Sequence, residues 1–81
     1  MSAVIETIDL TLYGCPLHYI KARSALQRVA LEQELLFIVN NGDAVNEVLN
    51  SLRGDGQICE ISLVGSLTTT IKVTKRYDQN Q

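Results

Sequence analysis

The stretch YGCPLHYIKA, residues 13–22, sets one of the chain's two cysteines beside its single proline and single histidine. Proline is favoured at the first position of a helix, where its missing N–H has no helical partner to lose. The spacing therefore predicts a helix that starts at Pro16, with Cys15 as its N-cap. A helix start carries unpaired amides and the positive end of the macrodipole. A thiolate there is stabilised, and its pKa is expected below the free value of about 8.5. The same field favours an anionic persulfide, so Cys15 suits sulfur transfer or redox exchange. Gly14 leaves the approach to the sulfur open, and Pro16 sets the helix entry. Lys21, nearly two turns on, reaches toward the site as a weaker influence than the dipole. His18 lies one turn from the cap. Facing the sulfur, its imidazole accepts the thiol proton or pairs with the thiolate. Facing away, it is an exposed residue with no special role.

Two other chemistries use the same residue types. Cys15 and His18 form one C-x-x-H pair, but structural zinc wants four protein ligands. Cys59 is expected in the core with Ile61 and Leu63, and Asp9 points to the other sheet face, so no metal site is predicted. A hydrolytic Cys/His pair needs a third orienting group, and the sequence shows none. No motif calls for a cofactor.

The elements that position Cys15 follow from periodicity. Residues 4–12 settle into alternation with Ile8, Leu10 and Leu12 on one face and Thr7, Asp9 and Thr11 on the other, a half-buried strand. The helix from Pro16 runs to about Leu31, with Tyr19, Ala22, Leu26 and Val29 at helical spacing. ELLFIVN is an apolar run of strand length, as for a strand covered by neighbours. Asp43 is expected to cap a second helix, whose stripe is Val45, Val48, Leu49 and Leu52. QICEISLV and TTTIKVTK alternate on either side of Gly65-Ser66, a hairpin signal. The order is β-α-β-α-β-β. Right-handed crossovers then give an α+β, two-layer sandwich: a mixed four-stranded sheet with both helices on one face.

With 81 residues the chain forms one domain over residues 1–81, ordered from about 4 to 76 with a fraying tail at 77–81. A net charge of −2 offers no general attraction to nucleic acid or anionic lipid. Lys72, Lys75 and Arg76 make a short basic end without an exposed aromatic pair, so direct nucleic-acid binding is not expected; a solvated edge strand accounts for them. Lys21, Arg23 and Arg28 could instead form a docking face for an acidic partner. No apolar run approaches the ~20 residues of a membrane span. The N-terminus lacks a signal-peptide pattern, so the chain is read as cytoplasmic, with two free thiols.

DLTLYGCPLHYIKARSAL resembles the signature around the active cysteine of the TusA/SirA-like sulfur-carrier family, roughly D-L-x-G-x-x-C-P-x-P-x-x-K-x-x-x-A-L. Asp9, Leu10, Cys15, Pro16, Lys21, Ala25 and Leu26 occupy matching positions, and with the element order the similarity spans about residues 7–76. Three positions depart from it. His18 replaces the second proline, Leu12 stands where a glycine precedes the cysteine, and EQELLFIV lacks the glycine that often precedes the second strand. The resemblance implies that Cys15 carries sulfane sulfur as a persulfide. It also implies a protein donor, such as a cysteine desulfurase or a rhodanese-like protein, and a protein acceptor. The family's routes include tRNA thio-modification, molybdenum cofactor maturation and sulfur oxidation. The alternative is a non-catalytic interaction or regulatory module of the same fold whose cysteine carries no sulfur.

Overall fold

The computed structural model of the protein describes residues 5–78. Its elements are β1 (Glu6–Asp9), α1 (Leu17–Gln27), β2 (Glu34–Asn40), α2 (Asp43–Gly54), β3 (Ile58–Val64) and β4 (Thr68–Thr74). They form one four-stranded sheet in the order β1-β2-β4-β3. β1 pairs parallel to β2, and β4 runs antiparallel to both β2 and β3. The expected β-α-β-α-β-β sandwich with a mixed sheet is the observed architecture. Because β1, β2 and β3 share one direction, the two connecting helices also run parallel to each other. Their N-termini lie at the same end of the sheet.

The core is aliphatic, as a chain with a single Phe and no Trp requires. Leu35, Phe37 and Val39 of β2 and Ile71 and Val73 of β4 are buried against Ala22, Ala25 and Leu26 of α1 and Val48, Leu49 and Leu52 of α2. Each large side chain fully buried there contributes about 1.5–3 kcal/mol. Only one face of ELLFIVN is deeply covered. Leu36 and Ile38 lie on the open face, half-buried between Thr7 and Asp9 of β1 and Lys72 and Thr70 of β4.

Several boundaries differ from the sequence expectation. β1 stops at Asp9 because the Asp9 carboxylate accepts hydrogen bonds from the Thr11 N–H (2.8 Å) and hydroxyl (2.6 Å). That local turn replaces the strand ladder. Leu10 still enters the core, whereas Leu12 is exposed. α1 ends at Gln27, not near Leu31; the N–H groups of Arg28 and Val29 close onto the carbonyls of Ala25 and Leu26. Asp43 is the first residue of α2, and the cap position is Gly42 at φ +100°, a conformation that suits glycine. The Asp43 charge nevertheless meets the positive end of the helix. In β3 the register shifts between Ile61 and Leu63. Past this bulge Leu63 faces Thr70 of the open sheet face, not the side of Cys59, and both Ile61 and Leu63 are exposed.

The basic C-terminal end is not on an edge strand, since β4 lies between β2 and β3. Lys72 sits between Glu34 (3.8 Å) and Glu60 (3.6 Å), and Arg76 pairs with Glu32 at 3.0 Å. Lys75 is buried and donates to the Val29 carbonyl at 2.8 Å, placing a cation at the carbonyl end of α1. Tyr77, expected to fray, is tied to the Gln57 side chain through both its N–H and its carbonyl. The expected ordered start at residue 4 and the rest of the tail, 79–81, lie outside the described residues. Among the described residues no helix is long and apolar enough to cross a membrane.

Candidate functional site

Cys15 is an exposed free thiol, and Cys59 is a buried one. The segment between β1 and α1 is anchored at two points. The Asp9 turn ends the strand, and the Asn40 side-chain amide of β2 donates to the Thr11 carbonyl at 2.9 Å. Asp9 and Leu10 therefore build the loop that delivers Cys15. Gly14 has open space around it. The sequence neighbours Leu12, Leu17 and Ile20 are all exposed, so the sulfur sits in an accessible, partly apolar segment.

The helix begins one residue later than the proline rule predicts. Pro16 has φ −98° and ψ 12° and occupies the cap position, so Cys15 precedes the cap. The Cys15–Pro16 peptide bond is cis. The expected cradle of free amides is partly filled from within the chain. The His18 N–H donates to the Gly14 carbonyl at 3.1 Å, and the Tyr19 N–H donates to Nδ1 of His18 at 2.7 Å.

His18 is buried, not exposed, at 4% accessibility. Since Nδ1 accepts the Tyr19 N–H, the ring proton sits on Nε2, which faces Glu47 Oε1 at 3.3 Å. Both ring nitrogens thus have partners, and neither partner is Cys15. Glu47, in the second turn of α2, is the third member of the cluster. Its carboxylate, the Cys15 sulfur and a His18 ring nitrogen all lie within 4.8 Å of one another.

Glu47 reverses the expected electrostatics. A hydrogen bond from the thiol to the Glu47 carboxylate, then desolvation and the negative charge itself, hold the Cys15 pKa above its ordinary value. Each cause favours the protonated thiol over the thiolate. The predicted depression by the helix end is therefore corrected to a rise. Lys21 is not among the groups that shift it; the Lys21 ammonium stands over the Tyr13 ring, 5.4 Å from the centroid.

Sequence reasoning missed Glu47. It is a polar residue beside the apolar stripe of α2, and local pattern gives it no distinction. The available signal was topological, since two parallel crossover helices bring their N-terminal halves to the same end of the sheet. With Glu47 the C-x-x-H pair gains a third potential ligand. However, the histidine nitrogen toward Glu47 carries the proton and is a donor, unsuited as it stands to hold a metal. Nor does the trio form a Cys–His–acid relay, in which histidine lies between thiol and carboxylate. Here the carboxylate meets both of the other groups. Cys59 is buried as expected, and burial pushes its thiol up to about 11.

Comparisons with protein-family models and with curated proteins give no match. Among solved structures, the crystal structure of a SirA-like protein from Desulfitobacterium hafniense superposes with a TM-score of 0.75 at 19% sequence identity. The match covers 90% of this chain and 100% of that one. This chain has the SirA/TusA-like fold.

Proposed function

We propose that this protein is a small sulfur carrier in which Cys15 accepts sulfane sulfur as a persulfide and passes it to an acceptor protein. The observation that carries the reading is an exposed free thiol at the entrance to α1 in a SirA/TusA-like fold, while the second thiol is buried. A carrier needs its sulfur reachable by two partners in turn, and exposure of Cys15 beside the open space at Gly14 meets that need.

The donor is a protein persulfide, of a cysteine desulfurase or a rhodanese-like protein, and the acceptor presents a thiol or another nucleophile. Loading is an exchange between sulfurs. The Cys15 thiol loses its proton, and its sulfur bonds to the outer sulfur of the donor persulfide. The donor S–S bond then breaks, and the donor cysteine leaves as a thiolate that is protonated. The net change is Cys15–SH plus R–S–SH giving Cys15–S–SH plus R–SH. Such a protein is a relay between enzymes, working in the cytoplasm.

The test is incubation with a cysteine desulfurase and cysteine, read by intact mass and peptide mapping. The expected result is the mass of one added sulfur on Cys15. It should be removed by thiol reductant, lost in Cys15→Ser and kept in Cys59→Ser. Loading that survives Cys15→Ser refutes the assignment. The raised pKa of Cys15 favours a second reading, an interaction module whose cysteine stays a resting thiol. Absence of any loading in the wild type supports that module.

A further inference from the structure

Glu47 is half-exposed, with 47% of its side chain accessible, and His18 Nε2 at 3.3 Å is its partner on the protein side. Among the described residues no lysine or arginine pairs with it, and Lys21, the basic residue of α1 nearest to Cys15 in sequence, is engaged with Tyr13. An uncompensated carboxylate thus stands within 4.8 Å of the exposed sulfur, with an open side toward solvent.

We infer that Glu47 makes Cys15 selective for sulfur partners that bring a cationic group against the reacting sulfur. The inference deepens the sulfur-carrier reading, since it rests on Cys15 being the reacting sulfur; it does not depend on persulfide loading. At surface dielectric, a unit charge at this separation alters the local concentration of a charged reagent severalfold, with opposite sign for cations and anions. A cation docked on Glu47 also competes for the carboxylate that holds the thiol proton. This second effect agrees with the direction of the Cys15 pKa shift. The thiol therefore rests protonated in the free protein and becomes nucleophilic in a complex with a basic partner. His18 is a positioning residue: its Nε2–H holds the carboxylate against the sulfur.

Thiol–disulfide exchange with small reagents isolates this property. In each reaction Cys15–SH loses a proton and attacks R–S–S–R. The reagent S–S bond breaks, and the leaving thiolate is protonated, giving Cys15–S–S–R and R–SH. The Cys15 sulfur is oxidised and the reagent is reduced. The probes are cystamine, which is dicationic, 2-hydroxyethyl disulfide, which is neutral, and dithiodiglycolate, which is dianionic. Initial rates on the full chain are followed by mass, for wild type and Glu47→Gln. Comparing rate ratios cancels both the intrinsic reactivity of each reagent and any change in Cys15 acidity.

The cystamine to dithiodiglycolate ratio should fall by about tenfold or more in Glu47→Gln. The neutral reagent should react faster with the variant than with wild type at neutral pH. In the wild type alone, the ratio should shrink as ionic strength rises, a measurement independent of the variant's folding. A ratio unchanged by both Glu47→Gln and salt overturns the inference. Sulfane loading, measured separately, reports on the carrier reading: charge selection without loading removes the carrier and leaves the selectivity, while loading without charge selection does the reverse.

Discussion

The buried thiol provides a test of the fold with a calculable size. Burial pushes the Cys59 pKa from 9.0 to about 11, with Asp55 adding to the shift and Arg53 opposing it. In the unfolded chain the thiol returns to its ordinary value and ionises first. The folded state therefore holds a proton that the unfolded state has released. The stability linked to Cys59 is complete below pH 9.0 and is lost as pH rises through about 11. Two units at about 1.4 kcal/mol each give a loss of about 2–3 kcal/mol. For a domain of this size a urea dependence of about 1 kcal/mol per molar converts the loss into a midpoint shift of about 2–3 M. The assay is urea denaturation at a series of pH values for wild type and Cys59→Ala. Burial and the Asp55 carboxylate also raise the Tyr19 pKa from 10.0, so part of the alkaline loss is common to both proteins. The difference between the two curves isolates Cys59. The volume lost on truncation to alanine adds an offset that does not vary with pH, so the divergence of the two curves between pH 9 and 11 comes from the Cys59 thiol alone. Parallel curves from pH 9 to 11 would refute the assignment of Cys59 as a buried neutral thiol.

Two further outcomes test the neighbourhood of Cys15 and its supporting loops. His18→Ala should cost about 2–3 kcal/mol in urea denaturation, from the emptied ring volume and the Tyr19 N–H left without its acceptor; a loss under about 0.5 kcal/mol would contradict the packed, doubly bonded ring. Glu32 holds φ +73°, a conformation costly for a residue with a side chain. Measured in an Arg76→Ala background, so that the Glu32–Arg76 pair does not enter, Glu32→Gly should raise stability by about 1 kcal/mol. An unchanged midpoint would show that the loop carries no such strain.

Glu32 also shows what was legible in the sequence and why. The absent glycine before the second strand is a visible departure, and the backbone at that point still takes the left-handed turn a glycine would favour. The elements themselves were readable because their signals are local: the alternation in β4, the stripe Val45, Val48, Leu49 and Leu52 in α2, and the hairpin after β3. Boundaries were less so, because side chains competed with the ladders. Asp9 cut β1 short with its own turn, and the bulge in β3 turned Leu63 to the other face. The motif around Cys15 also separates into parts. Asp9 makes the turn, Leu10, Ala25 and Leu26 fill the core, and Cys15 presents a thiol at the surface.

What the sequence did not disclose is the electrostatic sign of the site, and the comparison of two charges explains it. A helix start is equivalent to about half a positive charge spread over its free amides. Here the His18 and Tyr19 amides already have acceptors, and the sulfur lies one residue outside the cap. Glu47 brings a carboxylate oxygen within 4.8 Å of the sulfur. The nearer charge prevails, and the Cys15 pKa is raised, not lowered. Its residue type and spacing identify the sulfur. In the carrier proposed above, the reactivity of that sulfur would be set by a carboxylate from another helix and by the charge of the docked partner.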